Sequence, residues 1–261
     1  MDAQRFGKHL AVGLLLLLMA RAALSAPDPV PPVNVTVGSS GSHLGASSGF
    51  AVPAAAGNIT ALTISHTQTS QFWQGYYGNI TGDIVLDDSS NNTLFSWALA
   101  NPSGEIYASN SSSGINWGNV TCVNLTNGTS FDTHGSSKIN RTSIQGAYNL
   151  TDQDAENLTS TFNTTFSGTL TVSTVTITTA DQCPQLTTYV DGAWQQNSFK
   201  EVLLFDNESA LLFTSILQEN TDGFQSGSND AVDFQMMVLE DGTAGGPDIS
   251  TTTYYFYVEL N

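Results

Sequence analysis

The residues that could do chemistry in this chain are few. Asp87-Asp88 and the run Asp152, Asp154 and Glu156 are acids close together in sequence, the raw material of glycosidic hydrolysis or of a hard-cation site. Hydrolysis needs two carboxylates facing one another across a cleft from separate elements, and acids on one turn do not supply that geometry. Calcium takes oxygen ligands from Asp, Asn and backbone carbonyls, and Asp87, Asp88 and Asn91 form the best such cluster. They lack the spacing of a twelve-residue calcium loop with its glycine and terminal glutamate, so turn chemistry accounts for them and no metal or cofactor is expected. His43, His66 and His134 have no nucleophile motif beside them, and there is no zinc-binding helix motif or phosphate loop. His66 shares parity with Leu62 and Ile64 and reads as a core or rim histidine, whereas His134 reads as a loop residue. No catalytic residue emerges, and the chain is not expected to be an enzyme.

Two other residue classes do carry chemistry. Cys122 and Cys183 are the only cysteines, and in an exported chain two such residues pair most simply with each other. The acceptor pattern for N-glycosylation, Asn-x-Ser/Thr, recurs at Asn34, Asn58, Asn79, Asn91, Asn110, Asn119, Asn124, Asn127, Asn140, Asn149, Asn157, Asn163 and Asn207. A chain rich in Asn, Ser and Thr makes such triplets by chance. Their concentration in turns and in a stretch weak in strand signal argues for use of at least some, because glycans are tolerated on surface loops.

Both chemistries require export. Arg5 and Lys8 precede an apolar run from Leu10 to Met19, followed by the small-residue stretch Ala23-Leu24-Ser25. This is the pattern of a signal peptide over 1–25, and about ten apolar residues are too few for a membrane span of roughly twenty. No span is expected after cleavage. Removing Asp2, Arg5, Lys8 and Arg21 from the 23 acidic and 6 basic residues leaves 22 and 3, a mature charge of about −19. Lys138, Arg141 and Lys200 are then the only fixed cations. That excludes nucleic acid and an anionic membrane surface as partners, since both require clustered positive charge.

The elements that must hold these residues read as follows. Residues 26–57 form a Pro-, Gly- and Ser-rich linker or N-terminal arm. Within it Val33, Asn34, Val35, Thr36 and Val37 alternate at period two, a strand signal on a tether that could complete a neighbouring sheet edge. Residues 58–261 read as one mainly β domain, an antiparallel β-sandwich-like body with a short helical insertion. Leu62, Ile64 and His66 suggest its first strand, and Ile80, Ile84 and Leu86, then Phe95, Trp97 and Leu99, then Glu105 to Ser109, suggest an antiparallel meander. Thr151 followed by Asp154 predicts a capped helix to about Phe162, and a parity switch between Val172 and Val175 predicts a bulged strand over Thr169 to Thr178. Further strands are expected at 202–205, 210–217, 232–239 and 253–260, with an Asp206–Ser209 turn between the first two. In the last strand Tyr255 and Tyr257 form either a second buried layer or an aromatic contact surface. Phe72 to Tyr77 offers a second set of aromatics that could stack sugars.

Four segments carry a resemblance. The Gln71-Phe72-Trp73-Gln74-Gly75-Tyr76-Tyr77-Gly78-Asn79 stretch, Asn92 to Trp97, Phe199 to Asn207 and Thr253 to Leu260 resemble a family of secreted archaeal cell-surface proteins, over about Ile64 to Leu260. The resemblance implies archaeal origin and an extracellular location, carries over no catalytic residue, and leaves the tract before Asn58 outside it. The expectation is a secreted, glycosylated structural protein of the cell exterior, a filament, sheath or coat subunit that partners with copies of itself or with other surface proteins and glycans. The alternative is a carbohydrate-binding module or adhesin.

Overall fold

A computed structural model of the chain describes residues 27–43, 48–99, 102–125, 140–219, 221–225, 231–241 and 251–261. The signal segment, His134, Lys138 and Asn127 lie outside the described residues.

The fold is built on strands that are apolar at both parities. Lys200–Phe205 (β10) is a run of Val202, Leu203, Leu204 and Phe205, every one buried. Continuous apolar runs of this kind belong to strands covered on both faces. β10 pairs antiparallel with Leu211–Ile216 (β11), which pairs with Gly104–Ser109 (β4), which in turn pairs with the C-terminal strand Tyr255–Leu260 (β15). On its other side β10 meets Pro184–Thr187 (β9), which continues to Thr164–Thr165 (β6), and also the short Thr121–Cys122 (β5). These seven strands make the central sheet.

Alternation along each strand sends side chains into two separate cores. Ala108, Leu203, Phe205, Leu211 and Phe213 face one core, and Tyr107, Val202, Leu204, Leu212 and Tyr257 face the other. The first is covered by Trp73–Gly78 (β1), which pairs with Phe234–Leu239 (β14), and by the helices Arg141–Ala147 (α1) and Leu158–Thr161 (α2). Trp73 packs on Phe162 and edge-on against Phe213, and Tyr76 sits edge-on to Phe256. Trp117 and the hairpin of Thr169–Val172 (β7) with Val175–Thr178 (β8) cover the second core. A sandwich-like, mainly β body with a small helical insertion results, as the residue pattern predicts. The short pairs Thr221–Asp222 (β12) with Ala231–Val232 (β13) complete the region before β14.

Several local expectations are corrected. Leu62, Ile64 and His66 form no strand: residues 58–70 are irregular and exposed, and regular pairing starts at Trp73. The meander does not exist either. Among the described residues Asp83–Asp87 (β2) and Thr93–Ala98 (β3) pair only with each other, while β4, apolar at both parities, takes a central place between β15 and β11. The parity switch after Val172 is a hairpin turn, not a bulge, with Ser173 at φ 53°. Thr151 caps no long helix. Its N–H and hydroxyl both donate to Asp154 in a turn, and the helix starts later, where Asn157 accepts from the Ser160 N–H. The helix α1 is capped by Asn140, whose side chain accepts from the Ser143 N–H while the Ser143 hydroxyl accepts from the Asn140 N–H. Of the C-terminal tyrosines, Tyr257 is a second buried layer packed edge-on against Trp117, while Tyr255 is exposed.

Candidate functional site

The disulfide sits where two strands exchange places along one edge of β10. Cys122 lies opposite Leu204 at the end of β5, and Cys183 immediately precedes β9, whose Gln185 lies opposite Val202. The two cysteines are bonded, their Cα atoms 4.9 Å apart and 61 residues apart in sequence. The bond therefore joins the strand that leaves the sheet to the strand that enters it, and it lies against the second core.

At the opposite margin of the sheet the N-terminal arm is anchored. Val30 exchanges two backbone hydrogen bonds with Val258, at 3.0 and 2.8 Å, on the outer edge of β15. Asp28 accepts from the Ser173 hydroxyl at 2.6 Å, and the Ser173 N–H donates to both carboxylate oxygens of Glu259. Glu259 lies directly across from Glu105 in the β15–β4 register, and both are buried, at 2 and 5% exposure. The Tyr107 hydroxyl donates to Glu259 at 3.2 Å. Gly104 makes this approach feasible: at φ 131° a Cβ there would stand 2.0 Å from the Glu259 carbonyl oxygen. Burial, then the neighbouring Glu259 charge, pushes the Glu105 carboxyl up to about 8, with hydrogen bonding to Asn261 opposing. Burial also raises Glu259, with the Asp28 charge adding to it and Ser173 and Tyr107 opposing.

This acid pair was not anticipated. Its sequence signal is an acid at core parity: Glu105 shares a face with Tyr107, and Glu259 with Tyr257. Glu201 is the same case in the first core, fully buried and raised well above the ordinary carboxylate range by burial, while accepting from the Met237 N–H.

Beyond Val30 the arm runs extended and exposed. Val33, Val35 and Val37 all face solvent, and the arm returns to the body at His43, whose carbonyl accepts from the Thr69 hydroxyl. A second exposed apolar element is the β2–β3 ribbon. Its register places Ile84 opposite Trp97 and Leu86 opposite Phe95, so these four side chains share one face. All are exposed, Phe95 by 55% and Trp97 by 50%, with their rings 4.8 Å apart. By contrast Phe72, Trp73 and Tyr76 are committed to the first core, and of that aromatic segment only Tyr77 is exposed.

The acceptor asparagines separate by environment. Asn34, Asn58, Asn79, Asn91, Asn110, Asn119, Asn149 and Asn163 are exposed, and Asn124, Asn140 and Asn207 are half-buried. Asn157 is 8% exposed, and its side-chain amide donates to the carbonyls of Asp152 and Asp154 while its oxygen caps α2. A glycan on that nitrogen would displace these bonds.

The acids singled out by sequence are occupied locally. Asp88 accepts from Ser90 and from the backbone and side chain of Asn92, bonds that lower its carboxyl, and Asn91 is left-handed at φ 61°. Asp152 pairs with Arg141 at 2.8 Å and accepts from Gln145. Glu156 accepts from the Ser70 hydroxyl and the Gln71 N–H, tying the irregular 58–70 segment to the body. His66, expected at a core or rim, is exposed on that segment. Among the described residues no group of three or more His, Cys, Asp or Glu is placed to hold a metal ion, and no helix is long and apolar enough to cross a membrane. No protein-family model, curated protein or solved structure matches the chain.

Proposed function

We propose that this chain is a secreted, N-glycosylated structural protein of the cell exterior that assembles with copies of itself into a filament, sheath or coat. The observation that carries the reading is the arm: a five-residue alternating strand sequence, Val33 to Val37, held at its base by the Val30–Val258 bridge yet exposed along its apolar residues. An uncharged strand segment held open in this way is suited to adding to the sheet of another molecule. Export is supported by the signal-like N-terminus, by the Cys122–Cys183 bond, which forms in an oxidising compartment, and by the acceptor sites at exposed asparagines. Retention at the surface then depends on assembly and on contacts with other surface proteins and glycans. Deleting residues 27–45 tests this: the mature chain should form large particles by light scattering and the shortened one should remain monomeric. Equal assembly by both overturns the reading.

The competing reading, a carbohydrate-binding module or adhesin, draws on the exposed pair Phe95 and Trp97, since aromatic faces stack on sugars. Selective binding on a glycan array, by a protein that stays monomeric, would favour it.

A further inference from the structure

We infer that the β2–β3 ribbon is the surface that receives the arm: residues 33–37 of a second copy pair along the edge of β3, Thr93–Ala98. The inference rests on the assembly reading above and adds the acceptor to it.

The ribbon is an incomplete structure. A two-stranded hairpin alone is marginal in water, and a third strand or a cover is what makes such a sheet persist. Here one whole face, Ile84, Leu86, Phe95 and Trp97, is apolar and exposed, and a contiguous apolar patch of that kind marks an interaction surface. The ribbon's two edges differ. That of β2 carries Asp83 and Asp87, charges that discourage pairing. That of β3, Thr-Leu-Phe-Ser-Trp-Ala, has no charge and no proline, and its one extra residue, Leu94, lies at the turn end and leaves Phe95–Ala98 in regular register. It is an open template.

The arm matches that template. Its strand segment is five residues long, enough to span the regular stretch Phe95–Ala98, and residues 29–42 contain no charged side chain. Laid beside β3, Val33, Val35 and Val37 extend the apolar face begun by Phe95 and Trp97. Asn34 and Thr36 then fall on the other face with Ser96, which leaves the Asn34 acceptor in solvent. Electrostatics select the same contact. Molecules carrying about −19 each repel one another, and a neutral strand on a neutral edge is where two copies approach at least cost.

The occupant is a second copy because the chain's own arm is tied elsewhere, at Val258 on one flank and at Thr69 on the other. The donor and acceptor patches are different surfaces, so the contact is heterologous and can propagate from copy to copy, as a filament requires.

The test uses the full mature chain. Thr36→Cys and Ser96→Cys are made in separate preparations, mixed and oxidised, with Thr36→Cys plus Ser90→Cys as the control pair. Pairing raises the effective concentration of the two thiols, so the first mixture should yield roughly a hundredfold more covalent dimer than the control. Phe95→Ser and Trp97→Ser, at exposed positions outside the core, should abolish particles as arm deletion does. If particles vanish on arm deletion but survive both serine variants, and no Thr36–Ser96 bond forms, the acceptor is wrong and the assembly reading stands. If the intact chain never assembles, both readings fall. Two further results overturn the proposal alone. One is a Thr36–Ser96 bond that closes within single chains carrying both substitutions at every dilution. The other is binding of phosphatidylcholine vesicles that needs Phe95 and Trp97, without any Thr36–Ser96 bond between chains.

Discussion

Replacing Glu105 by glutamine should make the protein more stable at alkaline pH, and the structure sets the size of the effect. The carboxyl is pushed from 4.5 up to about 8, chiefly by burial and then by Glu259 across the strand pair. A group whose folded value is raised contributes stability that is fully present below its unfolded value and is lost as pH climbs through the folded one. The window is therefore from 4.5 to about 8. At about 1.4 kcal/mol per tenfold change, the gap corresponds to an upper bound of about 5 kcal/mol lost across that window. Glutamine keeps the shape and removes the charge. Wild-type and Glu105→Gln proteins unfolded in guanidinium chloride should have similar midpoints at the acid end, with the variant ahead by a few kcal/mol at the alkaline end. Glu201 and Glu259 are raised by burial too, so a residual slope of the same sign should remain in the variant. A wild-type midpoint that is flat or rises across the window, or a variant that follows the wild-type slope unchanged, refutes the reasoning.

Other outcomes follow from single features. Replacing Cys122 and Cys183 together by alanine opens a loop spanning 61 residues, and thermal or denaturant unfolding should register a loss of about 4 kcal/mol. Glycopeptide mass spectrometry of the secreted protein should find carbohydrate at exposed asparagines such as Asn79 and Asn110 and none at Asn157, whose amide is engaged by Asp152 and Asp154. Asn157→Ala should cost about 1–2 kcal/mol through the lost cap of α2, measured by chemical denaturation. Gly104→Ala should prevent recovery of folded protein, because a Cβ there meets the Glu259 carbonyl at 2.0 Å.

What the residue pattern revealed, and what it hid, divides along physical lines. The run at Val202–Phe205, the Asp206 turn that follows and the C-terminal strand were legible because a buried strand needs continuous apolar residues and a tight turn needs an acceptor. Asp206 indeed accepts from the N–H groups of Glu208, Ser209 and Ala210. The two cysteines were legible by elimination. The placement of β4 was not, since pairing partners distant in sequence leave no local trace. Nor was α1: it begins on a capping asparagine, but its Thr, Ile and Gly are weak helix formers, and its buried Ile144 and Gln145 come from tertiary packing. At 58–70 period-two alternation was present without a sheet to receive it. The acid pair escaped notice because a glutamate in a strand reads as solvent-facing until its partner across the sheet is known. Burial of Asn157, likewise, is invisible in a triplet that matches its exposed counterparts.

The central claim is that this protein is exported and assembles at the cell exterior. Immunogold electron microscopy of intact cells, with an antibody to the mature chain, tests it most directly. Gold particles in regular arrays on extracellular filaments or on a surface coat are the predicted result. Label confined to the cytoplasm, from a protein that retains Met1 and carries no carbohydrate, would contradict it.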